Sequence, residues 1–109
     1  MIIDGMDEKK TLLPHSFCTP KNLHEDNFIQ FHLVGCMVFN GKMCPRVYFT
    51  NPNIHNDANL TITIIHHVLT HWSGNISQVL YLQLGNTSLE NKNQIMYVYL
   101  SMLVEMGIF

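Results

Sequence analysis

Apolar positions along the chain cluster most clearly in residues 78–93. Val79–Leu84 is a short and nearly unbroken apolar run, which is typical of a strand covered on both faces of a sheet. The run ends at Gly85, and Thr87 with Glu90 three residues later has the spacing of a capping box. The stretch therefore predicts a strand that passes directly into a helix, which is where open α/β sheets place their functional groups.

Three strands are predicted before this stretch. Met1–Met6 is a strand-like run, and Phe28–Phe39 and Met43–Thr50 are rich in β-forming residues. Between the last two lies Asn40-Gly41, the strongest short signal for a hairpin, and an early proline suits the returning strand to a sheet edge. Residues 8–27 are polar and rich in turn formers, so they predict a long surface loop.

The first of two predicted helices covers Leu60–Trp72, where apolar side chains recur at helical spacing. Its β-branched first half leaves a strand as a competing interpretation for that part. Asn56 or Asp57 as N-cap and Gly74 as the stop signal favour the helix.

The second predicted helix covers about Leu89–Met106 and ends at Gly107. One face of this helix is predicted to be buried: Ile95, Val98, Tyr99, Met102, Leu103 and Met106.

The order strand, loop, strand, turn, strand, helix, strand, helix predicts an α/β domain with a mixed sheet. A right-handed crossover places Val79–Leu84 beside a parallel partner. If that partner is Met1–Met6, Asp4 and Gly85 meet at one end of the sheet. This arrangement is the ribonuclease H-like architecture.

Composition limits the classes of function. The 109 residues suffice for one domain, and 47% hydrophobic residues suffice for a core. Only 13% of residues are charged, which is low for a free-standing domain, so we expect a piece of a larger protein whose other parts cover some of this surface. The net charge of −2 gives no electrostatic support for nucleic-acid binding by this chain alone.

Cysteine usage and hydropathy point to the cell interior. Cys18, Cys36 and Cys44 form no C-x-x-C pair and predict free thiols in a reducing compartment. No signal peptide is recognisable, and no apolar run approaches the ~20 residues of a membrane span. We therefore expect an intracellular protein without a membrane partner.

Two segments carry a resemblance to a known family. IIDGMD at Ile2–Asp7 resembles the first motif of a transposase-like domain of unknown function that occurs in eukaryotic transposon-derived proteins. LQLGNTSLENKN at Leu82–Asn93, with LVEMGIF at Leu103–Phe109, resembles its second motif. The resemblance covers essentially residues 1–109 as a single domain, and the family continues beyond it into a further acidic motif.

The resemblance implies a ribonuclease H-like integrase core of the DDE type, with acidic ligands for Mg²⁺ or Mn²⁺. Asp4 is similar to its first-strand carboxylate, and Asp7 is a weaker second candidate. Gly85 stands where the family has its second aspartate. A full-length protein of this kind implies DNA as partner and the nucleus as location.

Two-metal phosphoryl transfer needs several carboxylates around cations roughly 4 Å apart. Asp4 alone cannot hold such a pair, and Gly85 supplies no side chain. We therefore expect a domain without catalytic activity and without a bound cofactor. For Asp4, which precedes Gly5, the competing interpretation is a turn-forming residue. For Asp7, the turn-forming interpretation is favoured over a metal ligand.

The histidines and cysteines suggest other chemistry only weakly. His67 and His71 have the i, i+4 spacing of metal ligands, but Val68 replaces the glutamate of the H-E-x-x-H motif. We expect ordinary surface histidines, no catalytic Cys–His pair and no evident small-molecule substrate.

The leading prediction is a degenerate transposase-like domain. A metal-dependent transposase or nuclease core that is active in a full-length form is the first alternative. A structural or protein-interaction module is the second. We also expect the isolated chain to expose apolar surface and to aggregate.

Overall fold

The computed structural model describes residues 1–6, 12–13, 18, 21, 29–72, 74–85 and 92–109. The strands of this part are β1 (Ile2–Gly5), β2 (Leu12–Leu13), β3 (Ile29–Gln30), β4 (His32–Asn40), β5 (Lys42–Thr50) and β6 (Gln83–Leu84). Its helices are α1 (Ala58–Thr70) and α2 (Gln94–Glu105). The element order confirms the predicted mixed α/β class.

The main sheet has four strands in the order β5-β4-β1-β6. β4 runs antiparallel to both β5 and β1, whereas β6 runs parallel to β1. The opening strand therefore lies beside the strand that ends at Gly85, as the sequence predicted. β2 and β3 form a separate antiparallel pair, so the predicted loop over residues 8–27 contains a short strand; most of that loop lies outside the described residues.

The hairpin of β4 and β5 is the largest feature of the sheet, with nine residues in each strand. Gly41 joins the strands at a φ of +77°, a conformation that favours glycine. This confirms the turn predicted at Asn40-Gly41. β5 is the edge strand and contains Pro45, in agreement with the restriction of proline to sheet edges.

Helix α1 begins after Asp57, one of the two predicted caps. Asp57 Oδ1 accepts hydrogen bonds from the backbone N–H groups of Asn59 at 3.0 Å and Leu60 at 3.2 Å. The strand alternative for this region is wrong, because the apolar face of the helix is buried. The predicted stop at Gly74 is also wrong, since the helix ends at Thr70 and is capped by His71 in a negative-φ conformation.

Helix α2 begins at Gln94, five residues later than predicted, and Asn93 Oδ1 accepts a hydrogen bond from Met96 N at 3.0 Å. The predicted capping box of Thr87 and Glu90 lies outside the described residues. The predicted end is confirmed: Gly107 has a φ of +71°, and the N–H of Ile108 reaches the Leu103 carbonyl at 3.1 Å, which is a Schellman motif.

The buried face of α2 differs from the predicted one. Met96, Tyr99 and Leu103 are buried, so the prediction was correct for the last two only. The remaining predicted members are exposed: Ile95, Val98, Met102 and Met106. Because α2 carries apolar residues on most of its circumference, their periodicity alone could not identify the face that packs against the sheet.

The prediction of a strand covered on both faces over Val79–Leu84 is also wrong. Regular pairing is confined to Gln83–Leu84. Val79 is 58% exposed and Tyr81 is 83% exposed, whereas Leu82 and Leu84 pack against the core. The segment is thus covered on one side by described residues.

Both helices pack on the same face of the sheet. The buried cluster combines side chains of β1 and β4 with those of α1 and α2: Ile3, Val34, Cys36, Val38, Ile64, Ile65, Val68, Met96, Tyr99 and Leu103. The residues of β4 and β5 that alternate with this layer point to the opposite face. We call that opposite face the open face and define it by Ile2, Leu33, Met37, Phe39, Met43, Pro45, Val47 and Phe49.

Candidate functional site

The carboxyl ends of the two parallel strands bring the predicted site residues together. Ile2 and Ile3 of β1 are in register with Gln83 and Leu84 of β6. One further step along both strands places Asp4 beside Gly85, across the roughly 4.8 Å that separates neighbouring strands. The parallel pairing that the prediction required is present, and Asp4 and Gly85 directly follow its last paired residues, Ile3 and Leu84.

Asp4 is flanked by positions that lack side chains. On β4 its register partner is Gly35, and a Cβ added there would meet only the Asp4 backbone oxygen, at 3.7 Å. Gly85 lies on its other side, and Gly5 follows it. The carboxylate of Asp4 is exposed, and neither of the neighbouring strands β4 and β6 carries a second acid.

The described residues around Asp4 do not supply the donor set for two divalent cations. Within the described ranges, no group of three or more His, Cys, Asp and Glu side chains could hold a metal ion. Asp7, the second predicted ligand, lies outside those ranges. A single carboxylate supplies at most two of the six or more oxygen ligands of Mg²⁺ or Mn²⁺.

A separate polar cluster joins β5 to the end of α1. The His67 and His71 rings stack with centroids 4.1 Å apart, and Tyr48 Oη lies 3.1 Å from His67 Nδ1. His71 Nδ1 donates a hydrogen bond to the His67 carbonyl at 2.9 Å. Arg46 donates to the His71 carbonyl at 3.5 Å, which places a cation at the negative end of the helix.

Sequence reasoning recognised the spacing of the histidine pair but missed its partners on β5. These contacts connect the edge strand β5 to the end of α1. The His67 and His71 rings lie face to face, with 27° between their planes.

Two buried titratable groups, Cys36 and Tyr99, lie in the core on the helix side of the sheet, opposite to the side of Asp4. Burial raises the pKa of the Cys36 thiol on β4, against smaller lowering effects of the chain's amino terminus and Arg46. Burial also raises the pKa of Tyr99, whose Oη lies 3.4 Å from His66 Nδ1. Both groups are therefore held in their protonated forms, and Cys36 is unsuited to nucleophilic catalysis.

All three cysteines are free thiols, as predicted. Cys18 is exposed and Cys44 is half-buried, so they differ from Cys36 in access to solvent.

An apolar pocket of about 620 Å³ lies at the opposite end of the sheet from Asp4. Its walls come from Val38, Val68, Trp72, Leu80 and Phe109, among others. The sequence did not indicate this pocket, because these residues are distant along the chain and only the fold assembles them.

None of the described helices is both long and apolar enough to cross a bilayer.

Comparison with known proteins places this mixed α/β domain in a family. Residues 21–109 match the family described as Domain of unknown function (DUF7869). The match covers most of the chain, which therefore belongs to that family. Strand β1 with Asp4 precedes the matched residues. No curated protein and no solved structure matches the chain.

Proposed function

We propose that this chain is a degenerate transposase-like domain, of ribonuclease H-like architecture, that has lost metal-dependent phosphoryl transfer. The observation that carries the proposal is the position of Asp4 beside Gly85 at the carboxyl end of two parallel strands. One acid is in the place where such a site needs it, and its neighbour has no side chain.

The sheet topology supports the ancestry. An antiparallel hairpin flanks β1 on one side and a parallel strand flanks it on the other, in the order β5-β4-β1-β6. Helix α1 forms part of the crossover between β5 and β6. The two segments that resemble the transposase-like motifs, Ile2–Asp7 and Leu82–Asn93, contribute β1 and β6, so the motifs meet in space although about 75 residues separate them.

The chemistry supports loss of activity. Phosphoryl transfer by two cations needs protein ligands that hold both cations, because the cations stabilise the attacking and leaving oxygens in the transition state. Asp4 can bind one cation weakly, from the exposed side of the sheet. DNA as partner, Mg²⁺ or Mn²⁺ as cofactor and a nuclear location belong to an active full-length form and are proposals for it only.

A nuclease assay with Mg²⁺ and with Mn²⁺ tests the proposal. We expect no cutting of plasmid DNA above background, and no change on Asp4→Ala. Asp57→Asn is the matched carboxylate control, because asparagine is as good an N-cap as aspartate. Metal-dependent cutting that Asp4→Ala abolishes and Asp57→Asn retains would establish the active-enzyme alternative instead.

The open face favours a second candidate function, a protein-interaction module. Phe49 is 73% exposed and Met43 is 60% exposed on this face. Contiguous apolar surface of this kind marks interaction sites in soluble proteins. This function requires no catalytic residue and is compatible with loss of the metal site.

A further inference from the structure

The carboxyl end of α1 carries two imidazole rings that lie face to face at the protein surface. The rings of His67 and His71 have centroids 4.1 Å apart and planes inclined by 27°, and both histidines are exposed. Two metal–nitrogen bonds of roughly 2.0–2.1 Å span at most about 4.2 Å. The two rings are therefore close enough to share one cation.

Hydrogen bonds occupy the Nδ1 atom of each ring. His71 Nδ1 donates to the His67 carbonyl at 2.9 Å, so a neutral His71 has its lone pair on Nε2. His67 Nδ1 lies 3.1 Å from Tyr48 Oη, and a tyrosine hydroxyl can accept a hydrogen bond as well as donate one. A proton on His67 Nδ1 satisfies this contact and leaves the lone pair on Nε2. Metal-binding histidines in proteins commonly donate their other ring N–H to a carbonyl or another acceptor in this way.

The backbone at this end of α1 favours a positive charge. His71 is the C-cap of the helix, and the carboxyl end of a helix carries a partial negative charge. Arg46 already donates to the His71 carbonyl at 3.5 Å. Its guanidinium repels a second cation nearby, so we expect the affinity of this position for a metal ion to be moderate.

The ligand set of the two rings differs from that of the acidic site at Asp4. Among the described residues, no third His, Cys, Asp or Glu side chain joins the pair, so water completes the coordination of a bound ion. Imidazole nitrogen suits Zn²⁺, Ni²⁺ and Cu²⁺, whereas Mg²⁺ and Mn²⁺ prefer oxygen. The pair therefore selects the later transition metals.

We propose that His67 and His71 bind one divalent transition-metal cation through their Nε2 atoms. The inference goes beyond the proposed loss of phosphoryl transfer and does not depend on it, because the ligands are nitrogen atoms of α1 and its cap. A cation held between these two residues stabilises the folded chain, since the unfolded chain does not keep the rings together.

Calorimetric titration of the full chain with Ni²⁺ alone tests the proposal, and we expect one Ni²⁺ per chain. His67→Gln and His71→Gln should each weaken binding at least about 10-fold, because the second imidazole of the pair otherwise binds intramolecularly. His55→Gln is the matched control, since it removes another exposed histidine. His55→Gln and Asp4→Asn should both bind Ni²⁺ as the unchanged chain does.

Three results overturn the proposal. The first is no saturable binding of Ni²⁺ up to about 1 mM. The second is a loss of affinity in only one of His67→Gln and His71→Gln, because a single imidazole would then account for the binding. The third is an equal loss in His55→Gln, which would show non-specific binding.

Circular dichroism establishes whether His67→Gln and His71→Gln are folded. If one of them is not, Zn²⁺ titration of the unchanged chain, followed by the nuclear magnetic resonance signals of the imidazole rings, replaces it. Two of the seven histidines should then shift together and saturably, and the folded variant should lose one of these two signals. A shift of one histidine alone, or of more than two, contradicts the proposal.

Discussion

Asp4 lies opposite Gly35 across the antiparallel ladder of β1 and β4. Its neighbour on the parallel side is Gly85, so the carboxylate is bordered by glycine on both adjacent strands. Among the described residues, neither neighbouring strand adds a charge beside Asp4 at the carboxyl end of β1. This relationship connects the ancestry proposed for the domain with its proposed inactivity.

The free energy of unfolding should depend strongly on Ile65 and hardly at all on Ile95. Ile65 is 0% exposed in α1 and Ile95 is 55% exposed in α2, so the two isoleucines form a matched pair. Ile65→Ala is expected to lower the free energy of unfolding by about 2–5 kcal/mol, because it removes buried methyl groups and leaves a cavity. Ile95→Ala should stay within about 0.5 kcal/mol. Urea unfolding measures both, and equal losses would contradict the assigned burial.

Asp57 should contribute to stability through its cap alone. Asp57→Ala removes the acceptor for two backbone N–H groups of α1 and is expected to cost about 1 kcal/mol. Asp57→Asn retains an acceptor, so it should lower the free energy of unfolding by only a few tenths of the amount expected for Asp57→Ala. Thermal unfolding followed at 222 nm distinguishes them, and a loss shared by both variants would point to charge rather than capping.

The bond between Tyr48 and His67 should have a small, measurable effect. Tyr48→Phe deletes the hydroxyl that lies 3.1 Å from His67 Nδ1, and a hydrogen bond of this kind is worth about 0.5–1.5 kcal/mol. Tyr97→Phe, in which the ring is 60% exposed, is the matched control and should be neutral. Chemical denaturation of the two variants gives the comparison; a neutral Tyr48→Phe would show that this contact does not hold β5 to α1.

Stability should fall at alkaline pH because of the two buried acids. The pKa values of Cys36 and Tyr99 are raised by burial in the folded chain. The unfolded chain therefore releases their protons first, and the stabilisation present below the unfolded values of about 8.5 and 10 is lost as pH rises above them. Urea unfolding between pH 7 and 11 should show this decline, and Tyr99→Phe should flatten its upper part. A decline unchanged by Tyr99→Phe would contradict the assignment.

Thiol reactivity checks the same environment independently. Cys18 is exposed and Cys36 is buried, so an aromatic disulfide reagent at pH 8 should modify Cys18 first and Cys36 last. Rapid modification of Cys36 in the folded chain would show that its strand opens readily.

The sequence predicted the parts of the fold that local chemistry determines. The glycine at the hairpin, the helix cap and the end of α2 at Gly107 each depend on neighbouring residues. The two glycines were located correctly, and Asp57 was one of the two predicted caps. Chain order and crossover handedness predicted a parallel partner for the strand that ends at Gly85, with Met1–Met6 as the partner considered, and the structure pairs β6 with β1.

Features set by distant residues could not be predicted in this way. The buried face of α2 depends on where the helix meets the sheet. The apolar run Val79–Leu84 predicted a strand buried on both faces, although Val79 is exposed. The partners of His67 and the apolar pocket likewise come from different elements. An apolar pattern shows that a surface can be buried, whereas only tertiary packing decides which surface is.

The most direct test of the central claim is a calorimetric Mn²⁺ titration of Gly85→Asp. A carboxylate restored beside Asp4 should create one saturable site that binds at least about 10-fold more tightly than the unchanged chain, because Mn²⁺ prefers charged oxygen ligands. Gly85→Asn, which is uncharged and of similar size, should not create it, and Asp4→Asn should remove it from the Gly85→Asp variant. Equal Mn²⁺ affinity in the unchanged chain and in Gly85→Asp would contradict the account.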